Sequence, residues 1–206
     1  MTGLDQLYRL TRADIKPAGA MLARAFFEDV HSAAFFPDPE VRRKKLKYAF
    51  EFIVRYGVLF GEVYAPTSAL EGAAAWVYST HVKRTPLRLL RCRALSLALK
   101  SGLGVLRKQI PVSDFIEKLH HQQAPFPHWF LDPLGVDPDQ QGKGYASRLM
   151  RPMLARCDRG QTPIYLYTNR ASNVAMYQHY GFDVLSEDRL PGTEIPHWAM
   201  LRKPKG

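Results

Sequence analysis

Two cysteines, Cys92 and Cys157, are all that the 206 residues hold, and neither sits in a CxxC-type spacing. That excludes a disulfide framework and a thiolate zinc site, and both thiols read as reduced, as in a cytosol-like compartment. No apolar run is long and uncharged enough to span a bilayer. The most apolar stretch, 87–106, contains Arg88, Arg91, Arg93 and Lys100, which makes a poor transmembrane helix. The start, MTGLDQLYRLTRADI, lacks the basic-then-apolar layout of a secretory leader, so a cytoplasmic protein is expected. Repeats and low-complexity tracts are absent. No metal-ligand spacing is present, so no metal is expected. Acidic residues are missing from Gly72 to Ser113, where Lys83, Arg84, Arg88, Arg91, Arg93, Lys100, Arg107 and Lys108 all fall. This stretch carries much of the net charge of +10. It reads as a solvated helix face, a rim attracting an anionic ligand, or a membrane-surface contact through 87–106. No helix–turn–helix or aromatic RNA motif accompanies it, which argues against a specific nucleic-acid partner.

What is present is enough apolar residue, 46% with 12% aromatic, for a full core in one domain. Leu7–Leu10 reads as a strand. Thr11 then stands as a helix N-cap, with Asp14 in the capping-box position and apolar residues at helical spacing from Ile15 to Phe26. FFPDPE breaks the chain before a second helix, Val41–Tyr56. Val58–Tyr64 and Gly72–Ser79 read as paired strands, although Gly61 leaves the length of the first open. Pro86–Gly104 and Ser113–Gln123 read as helices. The closing half is clearer: strand Trp129–Val136, helix Tyr145–Cys157, strand Ile164–Thr168, and helix Ala171–Tyr180 with Gly181 at its C′ position. Strands Phe182–Leu185 and His197–Leu201 follow. The order defines a mixed α/β domain spanning 1–206, with a basic helical insertion at about 80–124.

The chemistry is concentrated in Leu134-Gly-Val-Asp-Pro-Asp-Gln-Gln-Gly-Lys-Gly-Tyr-Ala-Ser-Arg-Leu149. A strand ends in a loop with glycines at 142 and 144, and a helix begins directly. The first turn of a helix offers N–H groups without internal partners, and the helix dipole adds about 0.3–2 kcal/mol of preference for an anion. Glycine lets the backbone approach a phosphate without an intervening Cβ. A P-loop is excluded, because GxxxxGK[ST] does not occur. The dinucleotide fingerprint fits badly, because Ser147 stands where its third small residue belongs. A plain tight strand-to-helix turn remains the bland alternative.

Gln141-Gly-Lys-Gly144-Tyr-Ala146 resembles motif A of the GNAT acetyltransferases, and Asn173-Val-Ala-Met-Tyr177-Gln-His-Tyr180-Gly-Phe182 resembles their motif B. HWFLDPLGVDPDQQGKG and IPHWAMLRKP are similar to the puromycin N-acetyltransferase branch. The likeness runs over about 126–203 and more weakly over the start. It implies a twisted, mostly antiparallel sheet of about seven strands, with strands 4 and 5 splayed apart and helices on both faces. Acetyl-CoA is implied as co-substrate in that gap. Amides from Gln141 through Gly142, Lys143, Gly144, Tyr145 and Ala146 to Ser147 would hold its diphosphate. Leu134 and Val136 would lend backbone groups to the pantetheine arm, Asn173 would hydrogen-bond nearby, and Tyr177 would be the general acid. The spacing agrees, since Asn173 and Tyr177 share a helix face. Tyr180 competes for that role, and ordinary core packing is the alternative for either tyrosine.

An alkyl amine with pKa near 10.4 is protonated at pH 7, and freeing its lone pair costs roughly 4–5 kcal/mol. A base is therefore needed, and the puromycin-type branch carries Glu on its fifth strand where this chain has Tyr167. Glu28 and His31, in the early helix–loop region, are the candidate bases, with Asp29, His120, His121 and His128 behind them. The expected activity is direct acetyl transfer in a ternary complex to the primary amine of a small molecule, by a monomer or homodimer. The other open reading is an acyl-CoA-binding sensor or regulatory module without turnover.

Overall fold

The computed structural model describes residues 3–205. After β1 (Tyr8–Arg9), the Asp14 carboxylate reaches back to the Thr11 N–H and hydroxyl, both at 2.7 Å, and α1 (Ile15–Ala25) starts behind it. The capping-box pair is therefore present, but Asp14 rather than Thr11 is the boundary residue. A short helix that the sequence did not announce, α2 (Val30–Phe35), follows, with the Asp29 side chain accepting from the His31 N–H at 3.0 Å. The break at FFPDPE is a helix start. Asp38 caps α3 (Pro39–Phe60) by accepting from Glu40 and Val41, and Pro39 occupies the first position, where its missing N–H costs nothing.

The helix α3 outlasts its expected end at Tyr56 and takes in Val58–Phe60, which the sequence reading placed in a strand. It stops at Gly61, where a Cβ would lie 2.2 Å from the Trp76 carbonyl oxygen. Strand pairing starts at that contact. β2 (Glu62–Ala65) lies antiparallel to β3 (Gly72–Tyr78). The insertion is four helices: α4 (Ser79–Val82), α5 (Pro86–Arg91), α6 (Ala94–Ser101) and α7 (Leu103–Gln123). Its breaks fall at Arg93 and Gly102, with φ of 57° and 111°. Pro111 does not interrupt α7, whose exposed Arg107 carbonyl turn can be satisfied by water. The remaining elements are β4 (Trp129–Val136), a 3-10 turn (Pro138–Gln140), α8 (Tyr145–Arg159), β5 (Ile164–Thr168), α9 (Ala171–His179), β6 (Asp183–Arg189) and β7 (Pro196–Arg202).

One seven-stranded sheet results, ordered β1-β2-β3-β4-β5-β7-β6, antiparallel except for β4 beside β5. Side-chain alternation sorts its faces. Ala73 and Ala75 face α1, α3 and α7, with Met21, Leu22, Phe50, Val54 and Val112. Ala74 and Trp76 face α8, which buries Leu149, Met150, Met153, Leu154 and Cys157 at helical spacing. Phe130, Tyr165 and Leu201 form a third cluster on the α7 side, joined by Leu119. Behind the sheet, Arg202 on β7 makes a two-pronged ion pair with Asp158 at 2.7 and 2.8 Å. No helix of the described residues is long and apolar enough to cross a membrane.

Candidate active site

The site follows from how β4 and β5 part. They pair only at Trp129–Ile164, Phe130–Tyr165 and Leu131–Leu166, although both strands continue. At the parting point β4 carries an irregularity against β3, where Ala74 and Trp76 oppose Leu134 and Leu131. One extra residue on β4 reverses the alternation of its backbone groups. Asp137 N–H bonds Glu71 O at 2.9 Å, so Gly135 directs its N–H and C=O toward β3, while Leu134 and Val136 direct theirs into the gap. The Val136 carbonyl accepts there from Gln141 Nε2 at 3.3 Å.

The glycine loop closes one end of this gap. Gly142 and Gly144 have φ of 76° and 77°, and a Cβ on either would meet nothing within 4 Å. Glycine therefore serves the backbone conformation and leaves open space above it. Gly144 is the N-cap of α8 and no side chain caps the helix. The Arg148 N–H is the first to bond inside it, to Gly144 O at 3.0 Å. The amides of 142–147 thus have no partner among the described residues. Two expected contributors are engaged locally instead. The Gln141 amide lies 3.4 Å from Pro138 O, and Lys143 Nζ bonds Asp139 O and Gln140 Oε1. Ser147 Oγ accepts from Arg151 Nε at 2.7 Å.

The helix α9 flanks the gap. Asn173 Nδ2 donates to Thr168 Oγ1 at the end of β5, at 3.2 Å, which leaves its carbonyl oxygen available. One turn on, Tyr177 buries its ring edge-on against Phe182, 5.7 Å between centroids, among Leu131, Leu166 and Met200. Its hydroxyl has no hydrogen bond among the described residues and is not among the fully enclosed polar atoms. Burial raises the phenol above its usual range, and the charges of Asp132 and Tyr180 add to this.

The early candidates separate. Glu28 is exposed, and its carboxylate has no partner among the described residues; its carbonyl accepts from Arg170. Asp29 caps α2 and pairs with Arg170 at 3.4 Å. His31 packs on Phe35, and burial lowers its pKa against the pull of Asp29. His120 and His128 are not displayed to the gap. They bond each other at 2.7 Å in the core, and His120 stacks on Tyr165. His128 also has Nδ1 2.7 Å from the Phe126 carbonyl, so Nδ1–H donates there and the His128 Nε2 accepts from His120.

The sequence reading missed Asp132, the residue at the parting point. Its carboxylate lies 3.9 Å from Arg84, which reaches across from the insertion. Burial pushes its pKa up to about 6, with Arg84 pulling the other way. The remaining neighbour is Tyr167 on β5, raised by burial and then by Asp132.

A splayed strand pair with a free helix head at its mouth is the arrangement that the sequence resemblance implied. The model of the acetyltransferase (GNAT) family matches residues 114–182, which run from α7 through α9. An N-acetyltransferase of Schizosaccharomyces pombe is 27% identical over 207 residues, covering 96% of this chain and 83% of its own. A Corynebacterium glutamicum structure described as histone acetyltransferase HPA2 and related acetyltransferase shares the fold at TM-score 0.69. It is 21% identical, over 98% of this chain and 97% of that one. A Drosophila melanogaster polyamine N-acetyltransferase does so at TM-score 0.62 and 15% identity, over 96% and 98%. Residues 114–182 are thus similar to GNAT acetyltransferases, and the whole chain shares the fold of these acetyltransferase structures. These matches support the superfamily and leave the puromycin-type branch untested.

Proposed function

We propose that this chain transfers an acetyl group from acetyl-CoA directly to the primary amine of a small molecule, with both substrates bound together. The observation that carries the reading is the row of amides at 142–147, unpartnered among the described residues, over open space at the mouth of the β4–β5 gap. These donors and the head of a 15-residue helix suit a diphosphate. Acetyl-CoA supplies the activated acyl group when bound. Leu134 and Val136 would meet the amides of its pantetheine arm as an added strand, and Asn173 would offer its free carbonyl oxygen. An amide near Val136 would polarise the thioester carbonyl. Tyr177 stays protonated at neutral pH and would give its proton to the departing sulfur. A thiol near 8.5 is the stronger acid, so this transfer is uphill and its contribution modest. Holding the two reactants in line is worth more, up to about 7–11 kcal/mol. The Schizosaccharomyces relative carries the name N-acetyltransferase, and the Drosophila fold neighbour is described as forming N-acetylagmatine. Both agree with an amine acceptor. Release of free thiol from acetyl-CoA, measured against a panel of primary amines, tests the reading. Tight coenzyme A binding without amine-dependent release would leave a binding module instead.

A further inference from the structure

We infer that Asp132, paired with Arg84 at the point where β4 leaves β5, takes the proton from the acceptor amine. This rests on the amine-acetylation reading above and supplies the base that reading lacks.

Three placements carry it. Asp132 follows Phe130 by two residues and so shares its face of the sheet, the one covered by α1, α3 and α7. After the irregularity Gly135 returns to that face, beneath Leu22 of α1 and Phe26 at its C-terminal end. Asp132 therefore sits between the part of the sheet that α7 covers and the part that α1 covers, with its side chain 17% exposed. Tyr177 belongs to the opposite face, with the α8 cluster. A proton acceptor and a proton donor thus flank the gap from its two sides.

Arg84 is the second placement. Its guanidinium lies over Phe52 and Tyr56 of α3, at 5.4 and 5.9 Å from the ring centroids, and reaches Asp132 across 3.9 Å. Those rings hold the arm of a residue that the basic insertion contributes. Arg84 is a positioning residue, because it acts through the carboxylate. The third placement is Tyr167, which faces Asp132 from β5. The groups within electrostatic reach of Asp132 are then Arg84 from the α4–α5 link and Tyr167 from β5 on its own face, and Tyr177 of α9 from the opposite side of the gap. Only Arg84 is cationic. The carboxylate is half-neutralised near pH 6 and ionised above it, the form needed both to attract an ammonium group and to accept its proton.

The protons balance. The ammonium gives one proton to Asp132, which releases it to water. The freed nitrogen lone pair forms the C–N bond as the C–S bond breaks. The nitrogen then loses its second proton, which replaces the one that Tyr177 gives to the sulfur. Amide, free thiol and one released proton result.

Asp132→Asn, of nearly the same shape, should lower kcat/KM for thiol release by about 100-fold while leaving coenzyme A affinity within twofold. Arg84→Gln should move the acid limb of the wild-type rate profile upward by about one pH unit. Carbon-13 NMR of the aspartate carboxyls reads the same group without turnover. One carboxyl should titrate near 6, vanish in Asp132→Asn and move up in Arg84→Gln. A wild type inert toward every amine overturns the acetylation reading and this proposal with it. An active wild type that Asp132→Asn leaves within threefold overturns this proposal alone, as does an Asp132 carboxyl that titrates near 4.

Discussion

Replacement of Gly144 separates what the loop does for folding from what it does for a ligand. Its φ of 77° is left-handed, and a Cβ there would touch nothing within 4 Å. Asn and Asp tolerate this conformation better than other residues and differ from each other mainly in charge. Each should cost the free protein about 1 kcal/mol, a fall in Tm of about 2–4 °C for a chain of this size. Coenzyme A affinity should part the two variants. Asn adds bulk over the amide row and should weaken binding about tenfold, or about 1.4 kcal/mol. Asp adds a charge about 5 Å from a diphosphate, worth about 1–3 kcal/mol of repulsion between the limits of water and protein surface. Its affinity should therefore be about 100-fold or more below wild type, with the gap between variants shrinking in high salt. Calorimetric titration with coenzyme A, beside thermal melts of the free variants, reads both quantities. A Gly144→Asp protein that binds coenzyme A as tightly as wild type would refute the assignment of the diphosphate to this loop.

Tyr177→Phe should slow thiol release by about tenfold, with coenzyme A affinity unchanged and stability within about 1 kcal/mol, because the hydroxyl bonds no described protein group. Unaltered turnover would assign the proton to another donor. The pH dependence of stability has a definite sign. Burial holds His120 at about 3 and His197 at about 4, below the unfolded value near 6.5. The unfolded chain therefore binds more protons, and stability present above pH 6.5 is lost as pH falls toward those values. Asp132, raised to about 6, opposes this between pH 4 and 6. The net slope near pH 5.5 should be about 1–2 kcal/mol per pH unit, and urea melts at pH 7.5, 6.5 and 5.5 would contradict it by giving one midpoint. Arg202→Met should destabilise by about 2–4 kcal/mol, since it strips Asp158 of both guanidinium bonds; a loss under 1 kcal/mol in the same melts would make that pair dispensable.

The closing half of the fold was legible because its signals are local. Trp129–Val136 and Ile164–Thr168 are bounded by loop residues, and the glycines at 142, 144 and 181 mark backbone conformations that other residues resist. The opening half was less so. Val58–Phe60 looks like strand by composition, but Gly61 decides the boundary through its contact with the Trp76 carbonyl, fifteen residues away. Helix α2 is a single capped segment too short to show periodicity. Asp132 was hidden for a different reason. Its place depends on an irregularity in β4, on the early end of its pairing with β5, and on Arg84, which is distant in the sequence. None of these leaves a mark in local spacing. Glu28 and His31 drew attention by lying in a helix–loop region, and the fold leaves the Glu28 carboxylate at the surface without a partner among the described residues.

The most direct test is a titration of the nitrogen-15-labelled protein with coenzyme A, followed at the backbone amides. The amides of 142–147, together with those of Leu134 and Val136, should show the largest shifts and gain protection from exchange. Shifts confined to other parts of the chain, with these amides unmoved at saturation, would contradict a diphosphate held at the head of α8.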